Sequence, residues 1–378
     1  MVRYVRSLDS LRAIAALLVV VEHTPVVKMV EAAPVLVMPY WLAWIKAYAA
    51  PGYLGVDLFF VLSGFLITRI LIADGAAGVP MRYFWLRRAL RIFPPFYLLV
   101  AIVWIAVPGP HMPWVAAYLA NFYFDTSMQY TPVNHTWSLA VEEHFYLVWP
   151  LVVYLLSRTW AQAVVIGVLF PAAISTAIWI SRTHGLVEGM ALVGQITPTR
   201  VLSLGAGALL AYHELALFRA GRARTAVVAL LAVAAAAGGY WWMAHALTTP
   251  SWVPMFAAHR LVSVALLSTG VVALTVLADR LPKVRALDPP FAMLRYVGRI
   301  SYGLYLYHVP VFYALEIDAK AAENRVTTAE VLTAYALSFA AAMLSYHLME
   351  KRIVAFGKRF RGGRPRPTND VLATPGTP

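Results

Sequence analysis

Ten long apolar stretches dominate this sequence of 378 residues and leave few folds open to it. A helix needs about 20 apolar residues to cross the hydrocarbon core of a bilayer. Because lipid offers no hydrogen-bond partners, each crossing segment must satisfy its own backbone, as a helix does. We therefore predict an all-α, polytopic membrane helix bundle of about ten transmembrane helices. The predicted spans are 11–30, 53–73, 93–108, 137–156, 161–180, 190–212, 225–244, 260–278, 300–315 and 326–348.

The composition supports this class of protein. The chain is 61% apolar and 13% charged, whereas soluble domains average about 45–50% and about 25%. A soluble globular fold is thereby excluded. The chain has no Cys, which excludes thiolate catalysis and thiolate metal ligands. It also has no His pair at the spacing of a helical metal site, so we expect no bound metal.

The basic residues indicate how the chain lies in the membrane. An even number of spans places both termini on one side. If that side is the cytoplasm, 22 of the 31 Lys and Arg residues lie on it, as the excess of positive charge in cytoplasmic loops requires. The net charge of +13 then reflects topology and not nucleic-acid binding. The basic residues assigned to the outer side are Lys28, Lys46, Arg182, Arg200, Arg260, Lys320 and Arg325.

Two further segments complete the predicted organisation. The stretch at 114–124 has only 11 residues and is predicted to be re-entrant or interfacial. We expect a transmembrane domain over 1–351 in the cytoplasmic (inner) membrane. The remaining residues, 352–378, are basic and rich in Gly and Pro, which predicts a disordered cytoplasmic tail.

The first span carries ionisable residues, which are costly in lipid and mark functional sites. Arg12 and His23 are eleven positions apart, so both project from one helix face, about 16 Å apart along the axis. This face would present a fixed cation toward the cytoplasm and a titratable imidazole toward the outer side. In the alternative interpretation, Arg12 pairs with Asp9 and His23 marks the membrane interface.

Further acids lie within the second and fourth spans. Asp57 is an intramembrane acid that needs a partner, in a glycine-containing stretch that allows close helix approach. In the fourth span, His135, Ser138 and Glu142 share a helix face, and Glu143 follows. Two adjacent carboxylates at this depth suit a general base or a group that holds an imidazole. A polar contact between helices is the alternative.

The ninth span repeats this arrangement. Ser301, Tyr305 and His308 are four and three positions apart and share one helix face. Pro310 leaves a backbone carbonyl without its helical donor nearby. These side chains are candidates for a polar site, and a hydrogen-bonded stripe inside the bundle is the alternative.

A basic cluster lies in the loop and helix start after the second span. Arg82, Arg87, Arg88 and Arg91 fall within ten residues, with aromatic residues between them. Arginines in this setting can grip phosphates bidentately and stack on a base. The alternative is that they only set topology and contact anionic lipid.

A series of motifs follows in order along the chain. The first, Arg6-Ser-Leu-Asp-Ser-Leu-Arg12, is followed after ten residues by His23. The others are Gly55–Phe65, Arg87–Pro94, His135–Glu143, Ser301–His308 and Met349–Lys351. Together they resemble acyltransferase family 3, multi-pass membrane acyltransferases that include the O-acetylases of bacterial surface polysaccharides. The chain differs in having His144 where the family usually has Gln.

The resemblance implies a substrate and a reaction. Acyl-CoA, usually acetyl-CoA, would bind from the cytoplasm as a substrate, with no resident cofactor. The acceptor would be a hydroxyl of a glycan or of a small molecule such as a macrolide, and the resemblance does not choose between them.

The resemblance also assigns roles to the candidate residues. The basic cluster at 82–91 would hold the CoA phosphates, and Arg12 would lie on the path of the donor. His23 would act as general base, oriented by Glu142 or Glu143. The group that stabilises the tetrahedral oxyanion is left open among Ser138, Tyr305 and Arg12.

Two other functional classes would use some of the same residues. A proton-coupled transporter needs intramembrane acids and His, but it predicts internal repeats, which the sequence lacks. A lipid-binding scaffold explains the arginines and leaves His23, Glu142 and Glu143 without a role.

Overall fold

The computed structural model describes residues 4–23, 51–123, 131–219, 227–228, 230–235, 237–239, 241, 256–279, 291–317, 320 and 326–360. These residues form helices and short connections, and no β-strand occurs among them, which confirms the all-α prediction. Parts of the expected spans 11–30 and 225–244 and most of the expected tail lie outside the described residues.

The helices are numbered here in chain order. They are α1 (Ser7–Glu22), α2 (Pro51–Ala76), α3 (Met81–Ala106), α4 (Met112–Ala116), α5 (Trp137–Leu155), α6 (Arg158–Val164), α7 (Phe170–Gln195), α8 (Thr197–Arg219), α9 (Phe256–Ala278), α10 (Ala292–Ala314), α11 (Thr328–Ser345) and α12 (Lys351–Gly357). Short π-helical segments at Val165–Leu169 and Tyr346–Glu350 join α6 to α7 and α11 to α12. The 3-10 turns are Ala120–Phe122, Asn134–Thr136 and Lys358–Phe360.

Among the described residues, five helical stretches are long and apolar enough to cross a membrane. They are Leu54–Ala76, Met81–Ala106, Arg158–His184, Ala257–Ala278 and Thr328–Gly357. Helices α5 and α10 have 19 and 23 residues and lie outside this set. Both carry several of the polar side chains singled out in the sequence. The count of ten spans and the cytoplasmic position of both termini stay predictions.

Helix boundaries differ from the predicted spans in two places that matter for the site. The basic residues at 82–91, expected in a loop and a helix start, all lie within α3, which begins at Met81. At the C-terminal end, the helix continues through α12 to Gly357, past the expected domain boundary at 351. Helix α12 packs against α3.

Glycines allow the helices around α1 and α2 to approach closely, as expected for the stretch that contains Asp57. A Cβ atom on Gly64 would lie 1.9 Å from the carbonyl oxygen of Leu204 on α8. A Cβ atom on Gly298 of α10 would lie 1.9 Å from the carbonyl oxygen of Asp9 on α1. Any larger residue would push these backbones apart. Helix α1 is thus held between α2 and α10, and its polar residues face theirs.

Candidate active site

A cavity of about 790 Å³ lies among α1, α2, α3, α5, α10 and the α11–α12 helix. Its volume is within the range of small-molecule sites, about 300–1,000 Å³. Basic side chains outnumber acidic ones in its wall, which suits an anionic ligand. The charged lining residues are Arg12, Arg69, Arg88, Arg91, Arg299 and Lys351, with Asp9, Glu142, Glu143 and Glu350.

Three arginines face this cavity without a protein partner. Arg12, Arg88 and Arg91 make no hydrogen bond or ion pair with any described residue, and the buried Nε of Arg12 is among the unpartnered atoms. The Arg88 guanidinium lies 5.1 Å from the ring centre of Tyr146 and 5.8 Å from that of Phe84. Such ring contacts hold a guanidinium through its face and leave its N–H groups available. The cavity therefore offers several arginine donors to a ligand.

The alternative interpretation, in which Arg12 pairs with Asp9, is not what the structure shows. Asp9 accepts a hydrogen bond from the hydroxyl of Tyr4, and no ion pair joins it to Arg12 within the described part of the chain. The alternative interpretation of Arg12 as half of a local ion pair is therefore wrong.

The two adjacent carboxylates of α5 both line the cavity. Glu142 accepts a hydrogen bond of 2.9 Å from the Tyr146 hydroxyl, which also bonds to the hydroxyl of Ser63 on α2. Within the described residues, Glu143 has no hydrogen-bond partner. The carboxylates therefore supply negative charge to the wall that also holds the arginines.

The basic cluster of α3 divides into two pairs. Arg88 and Arg91 line the cavity, whereas Arg82 and Arg87 do not. Arg87 is bound to Asp74 and donates a hydrogen bond of 2.8 Å to the carbonyl oxygen of Phe360. Arg82 is exposed, with its guanidinium 5.3 Å from the ring centre of Tyr83. Only half of the sequence-predicted phosphate cluster is therefore positioned to reach a ligand in the cavity.

One wall of the cavity is a pair of hydroxyl groups. The Ser138 and Tyr305 hydroxyls are in hydrogen-bonding contact with each other and with the carbonyl oxygen of His135, which lies 3.2 Å from Ser138 Oγ and 3.0 Å from Tyr305 Oη. Each hydroxyl has one proton, so the two donate two of these three hydrogen bonds at a time. Ser301 lies in the same wall, and its buried Oγ has no partner in the described part of the structure. The face that the sequence predicts for Ser301, Tyr305 and His308 is thus formed.

Three histidines cluster behind this wall. The rings of His23 and His308 have centres 4.9 Å apart, and those of His135 and His308 lie 5.3 Å apart. His308 is fully buried. Where the sequence suggests Glu142 or Glu143 beside His23, the structure places His308 beside it. Tyr305, 5.8 Å from His308 between ring centres, connects this histidine cluster to the cavity.

Asp57 belongs to a separate closed centre. It is fully buried, and its carboxylate accepts hydrogen bonds from Arg200 at 3.2 Å and from Ser203 at 2.5 Å. Arg200 is only 2% exposed, so it is buried within the bundle, and its assignment to the outer side stays a prediction. Its guanidinium also lies 5.5 Å from the ring centres of Phe60 and Trp137. Asp57 does not line the cavity and is a structural partner of Arg200.

His144, where the chain departs from the pattern of the family that it resembles, does not line the cavity. Its Nδ1 is 2.7 Å from the hydroxyl of Thr197, which also accepts a hydrogen bond of 2.8 Å from Asn121. Its ring stacks on Phe122 at 5.8 Å between centres. His144 therefore attaches the short segment before α5 to the start of α8.

Several residues of this arrangement were missed by sequence reasoning. Tyr146, Ser63 and Arg200 each belong to a wider polar network, but a lone Tyr, Ser or Arg gives no signal of its partner. Glu350 carries a signal, because it lies in the closing motif at 349–351. No group of three His, Asp or Glu side chains in the described ranges has the geometry to hold a metal ion.

The fold and the site thus define a multi-helix protein, apolar enough to cross a membrane, with a cation-lined internal cavity that ends at a wall of hydroxyl groups, behind which three histidines cluster. The family model that matches it is described as an acyltransferase domain, and the match covers residues 5–347. The chain belongs to this acyltransferase family, which confirms the resemblance found in its motifs.

Curated relatives agree with this family. The chain is 27% identical to the peptidoglycan O-acetyltransferase OatA of Listeria monocytogenes over 82% of its own length and 49% of the relative's. It is 27% identical to the putative peptidoglycan O-acetyltransferase YrhL of Bacillus subtilis, over 94% and 56% of the two chains. It is 30% identical to the O-acetyltransferase OatA of Staphylococcus aureus, over 56% and 35%. The chain therefore spans about half the length of the first two of these relatives and about a third of the third. No solved structure matches the chain.

Proposed function

We propose that this protein is an integral membrane O-acetyltransferase that moves an acetyl group from cytoplasmic acetyl-CoA to a hydroxyl of a cell-wall or other exported glycan. The observation that carries the proposal is the cavity, which contains unpartnered arginines and ends at a wall of hydroxyl groups backed by histidines. A polyanionic donor with a long flexible arm fits such a cavity, because its phosphates and its reacting end need different surroundings.

Arg88 and Arg91 bind the donor's phosphates. Their N–H groups are free to make the charge-assisted, bidentate hydrogen bonds that arginine forms with phosphate. Arg12 extends the same positive wall along α1. Glu142 and Glu143 keep these guanidinium groups in the cavity by attraction and accept hydrogen bonds from the amide N–H groups of the donor's arm.

The chemical step takes place at the other end of the first helix. His23 accepts the proton of the acceptor hydroxyl, and the oxygen attacks the thioester carbonyl carbon. The tetrahedral intermediate collapses, the carbon–sulfur bond breaks, and the CoA thiolate leaves and takes the proton back from His23. The products are an O-acetyl ester and free CoA, so the step needs no other reactant.

Ser138 and Tyr305 are the better candidates for stabilising the oxyanion. Helix α1 is continuous from Ser7 to Glu22, so Arg12 and His23 are separated by about 16 Å along its axis. Arg12 is therefore too far from the reacting carbonyl. The hydroxyls of Ser138 and Tyr305 lie between the cavity and the histidine cluster, and a shift from the His135 carbonyl would aim them at the oxyanion.

The proposed acceptor is supported by the relatives, two of which carry peptidoglycan in their names. We take the acceptor to be a glycan hydroxyl on the outer side, with both termini in the cytoplasm and about ten spans in the inner membrane. A macrolide-like hydroxyl is the competing acceptor.

The proposal can be tested with the full chain in lipid vesicles. Radiolabelled acetyl-CoA is supplied with soluble peptidoglycan fragments, or with a macrolide, and ester-bound acetate is released with mild alkali. We expect labelled acetate on the glycan and free CoA in equal amount. Label on the macrolide alone would mean that the acceptor is a small-molecule hydroxyl and not a glycan. If neither acceptor is labelled and acetyl-CoA remains intact, the proposal is contradicted.

A further inference from the structure

His308 is the most enclosed ring of the histidine cluster, and its hydrogen bonds define which nitrogen carries the proton. It has no exposed surface. Its Nδ1 lies 2.7 Å from the carbonyl oxygen of Tyr305 and 3.1 Å from that of Leu304. A carbonyl oxygen can only accept a hydrogen bond, so Nδ1 must donate. In the neutral ring, the lone pair therefore lies on Nε2.

The same reasoning applies to His23. Its Nδ1 lies 2.8 Å from the carbonyl oxygen of Val19, one turn earlier on α1, and so carries a proton. The Nε2 of His308 is 3.4 Å from this same nitrogen. The two rings meet edge to face at 78°, and because His23 Nδ1 carries the proton, the lone pair on His308 Nε2 is the acceptor in this contact.

We propose that His308 is a positioning residue that holds His23 in the tautomer with its lone pair on Nε2, so that Nε2 is the nitrogen that receives the acceptor's proton. The inference rests on the proposed role of His23 as general base. It replaces the carboxylate that the sequence suggests as the partner of His23. Glu142 is engaged by Tyr146 in the cavity wall, whereas His308 is in contact with the imidazole.

The arrangement also stabilises His23 once it is charged. When Nε2 takes the proton, the positive charge spreads to Nδ1–H, which has the carbonyl oxygen of Val19 and the Nε2 of His308 as acceptors. Hydrogen bonds from a charged donor are stronger than neutral ones. The neutral ring of His308 thus performs the orienting task that a carboxylate performs in a Ser-His-Asp triad.

His135 fixes the helix that carries His308. Its Nε2 donates a hydrogen bond of 3.2 Å to the carbonyl oxygen of Leu306, and its own carbonyl oxygen accepts from the Tyr305 hydroxyl. These bonds join the 3-10 turn before α5 to the middle of α10, two and three residues before His308. The position of His308 relative to α1 is therefore supported from both sides.

The inference predicts a defined kinetic effect. In His308→Leu, kcat should fall about 10- to 100-fold, by analogy with the loss of the outer hydrogen-bond partner of a metal-bound histidine, while KM for acetyl-CoA is unchanged. His308→Gln, which can again present an acceptor to His23, should recover most of the lost kcat. Equal kcat in His308→Leu and the parent protein would overturn the inference.

A spectroscopic measurement decides the tautomer without activity. The full chain, labelled with ¹⁵N in its histidines and held in lipid, is examined by solid-state NMR, and the His23 signals are identified by their loss in His23→Gln. We expect His23 with its proton on Nδ1 in the parent and in His308→Gln. In His308→Leu we expect a larger share of the tautomer protonated on Nε2, beside the Nδ1-protonated form that the Val19 carbonyl oxygen still favours. A parent His23 protonated on Nε2 would overturn the inference even if acetyl transfer is observed. Failure of transfer with the expected tautomer would instead contradict the proposed function.

Discussion

Arg200 and Arg88 both carry a guanidinium group into the bundle, and both lie against two aromatic rings. The difference is in their charged partners. Arg200 is hydrogen-bonded to the buried carboxylate of Asp57, which also accepts from Ser203. Arg88 has no such partner among the described residues and faces the cavity. One arginine completes a closed structural centre, and the other is available for a ligand.

The comparison separates two roles that look the same in the sequence. A buried charge must be paired or used, because an unpaired one costs several kcal/mol. In the closed centre, Asp57 and Arg200 are paired with each other, so we expect this pair to contribute to the stability of the fold. The other group consists of the three cavity-lining arginines without an ion-pair partner in the described ranges, Arg12, Arg88 and Arg91, and we call it the open region. Because these side chains face the cavity, they are expected to contribute to ligand binding. The two centres should therefore respond differently to mutation.

The largest effect is expected for His23, the proposed general base beyond the cavity wall. His23→Gln should lower kcat for acetyl transfer by about 10²- to 10⁴-fold, because it removes the general base. KM for acetyl-CoA and the amount of folded protein should stay at parental values. The measurement is transfer to peptidoglycan fragments in vesicles. A variant that still transfers acetyl groups at the parental rate would remove His23 from the mechanism.

The next largest effect is expected in the closed centre, and on stability. Asp57→Asn should destabilise the protein by about 3–5 kcal/mol, because it leaves the charge of Arg200 without its carboxylate. The measurement is the midpoint of thermal unfolding in detergent. Ser203→Ala is the matched control, since it removes one hydrogen bond to Asp57 and should cost about 1.5–3 kcal/mol. Parental stability in Asp57→Asn would mean that the centre is not closed as described.

The motifs predicted much of this site because helical periodicity is enough to place residues on a common face. Ser301, Tyr305 and His308 meet as their spacing predicts, and Ser138 joins them from α5. Periodicity gives no information about which helix faces which, so the contact of His23 with His308 and that of Asp57 with Arg200 could not be derived. These contacts depend on close helix approach at positions such as Gly298 and Gly64.

A third prediction concerns donor binding in the open region. Arg88→Ala combined with Arg91→Ala should raise KM for acetyl-CoA by about 10- to 100-fold or more, because each hydrogen bond to a charged group contributes about 1.5–3 kcal/mol. The thermal midpoint should change little, since neither side chain has a hydrogen-bond or ion-pair partner among the described residues and the ring contacts of Arg88 contribute only weakly. Initial rates over a range of acetyl-CoA concentrations measure this effect. An unchanged KM would contradict donor binding by Arg88 and Arg91 and would favour the interpretation that they only set the membrane topology.

The smallest effect is expected for Arg87, one residue before Arg88 in the same helix. Arg87 is held by Asp74 and by the carbonyl oxygen of Phe360, outside the cavity. Arg87→Ala should therefore leave KM for acetyl-CoA unchanged and cost about 1 kcal/mol of stability or less, as partly exposed ion pairs do. Rates and thermal midpoints measured beside those of the Arg88 and Arg91 variants test both statements. If KM rises as much in Arg87→Ala as in the double variant, pairing does not distinguish structural from ligand-binding arginines in this helix.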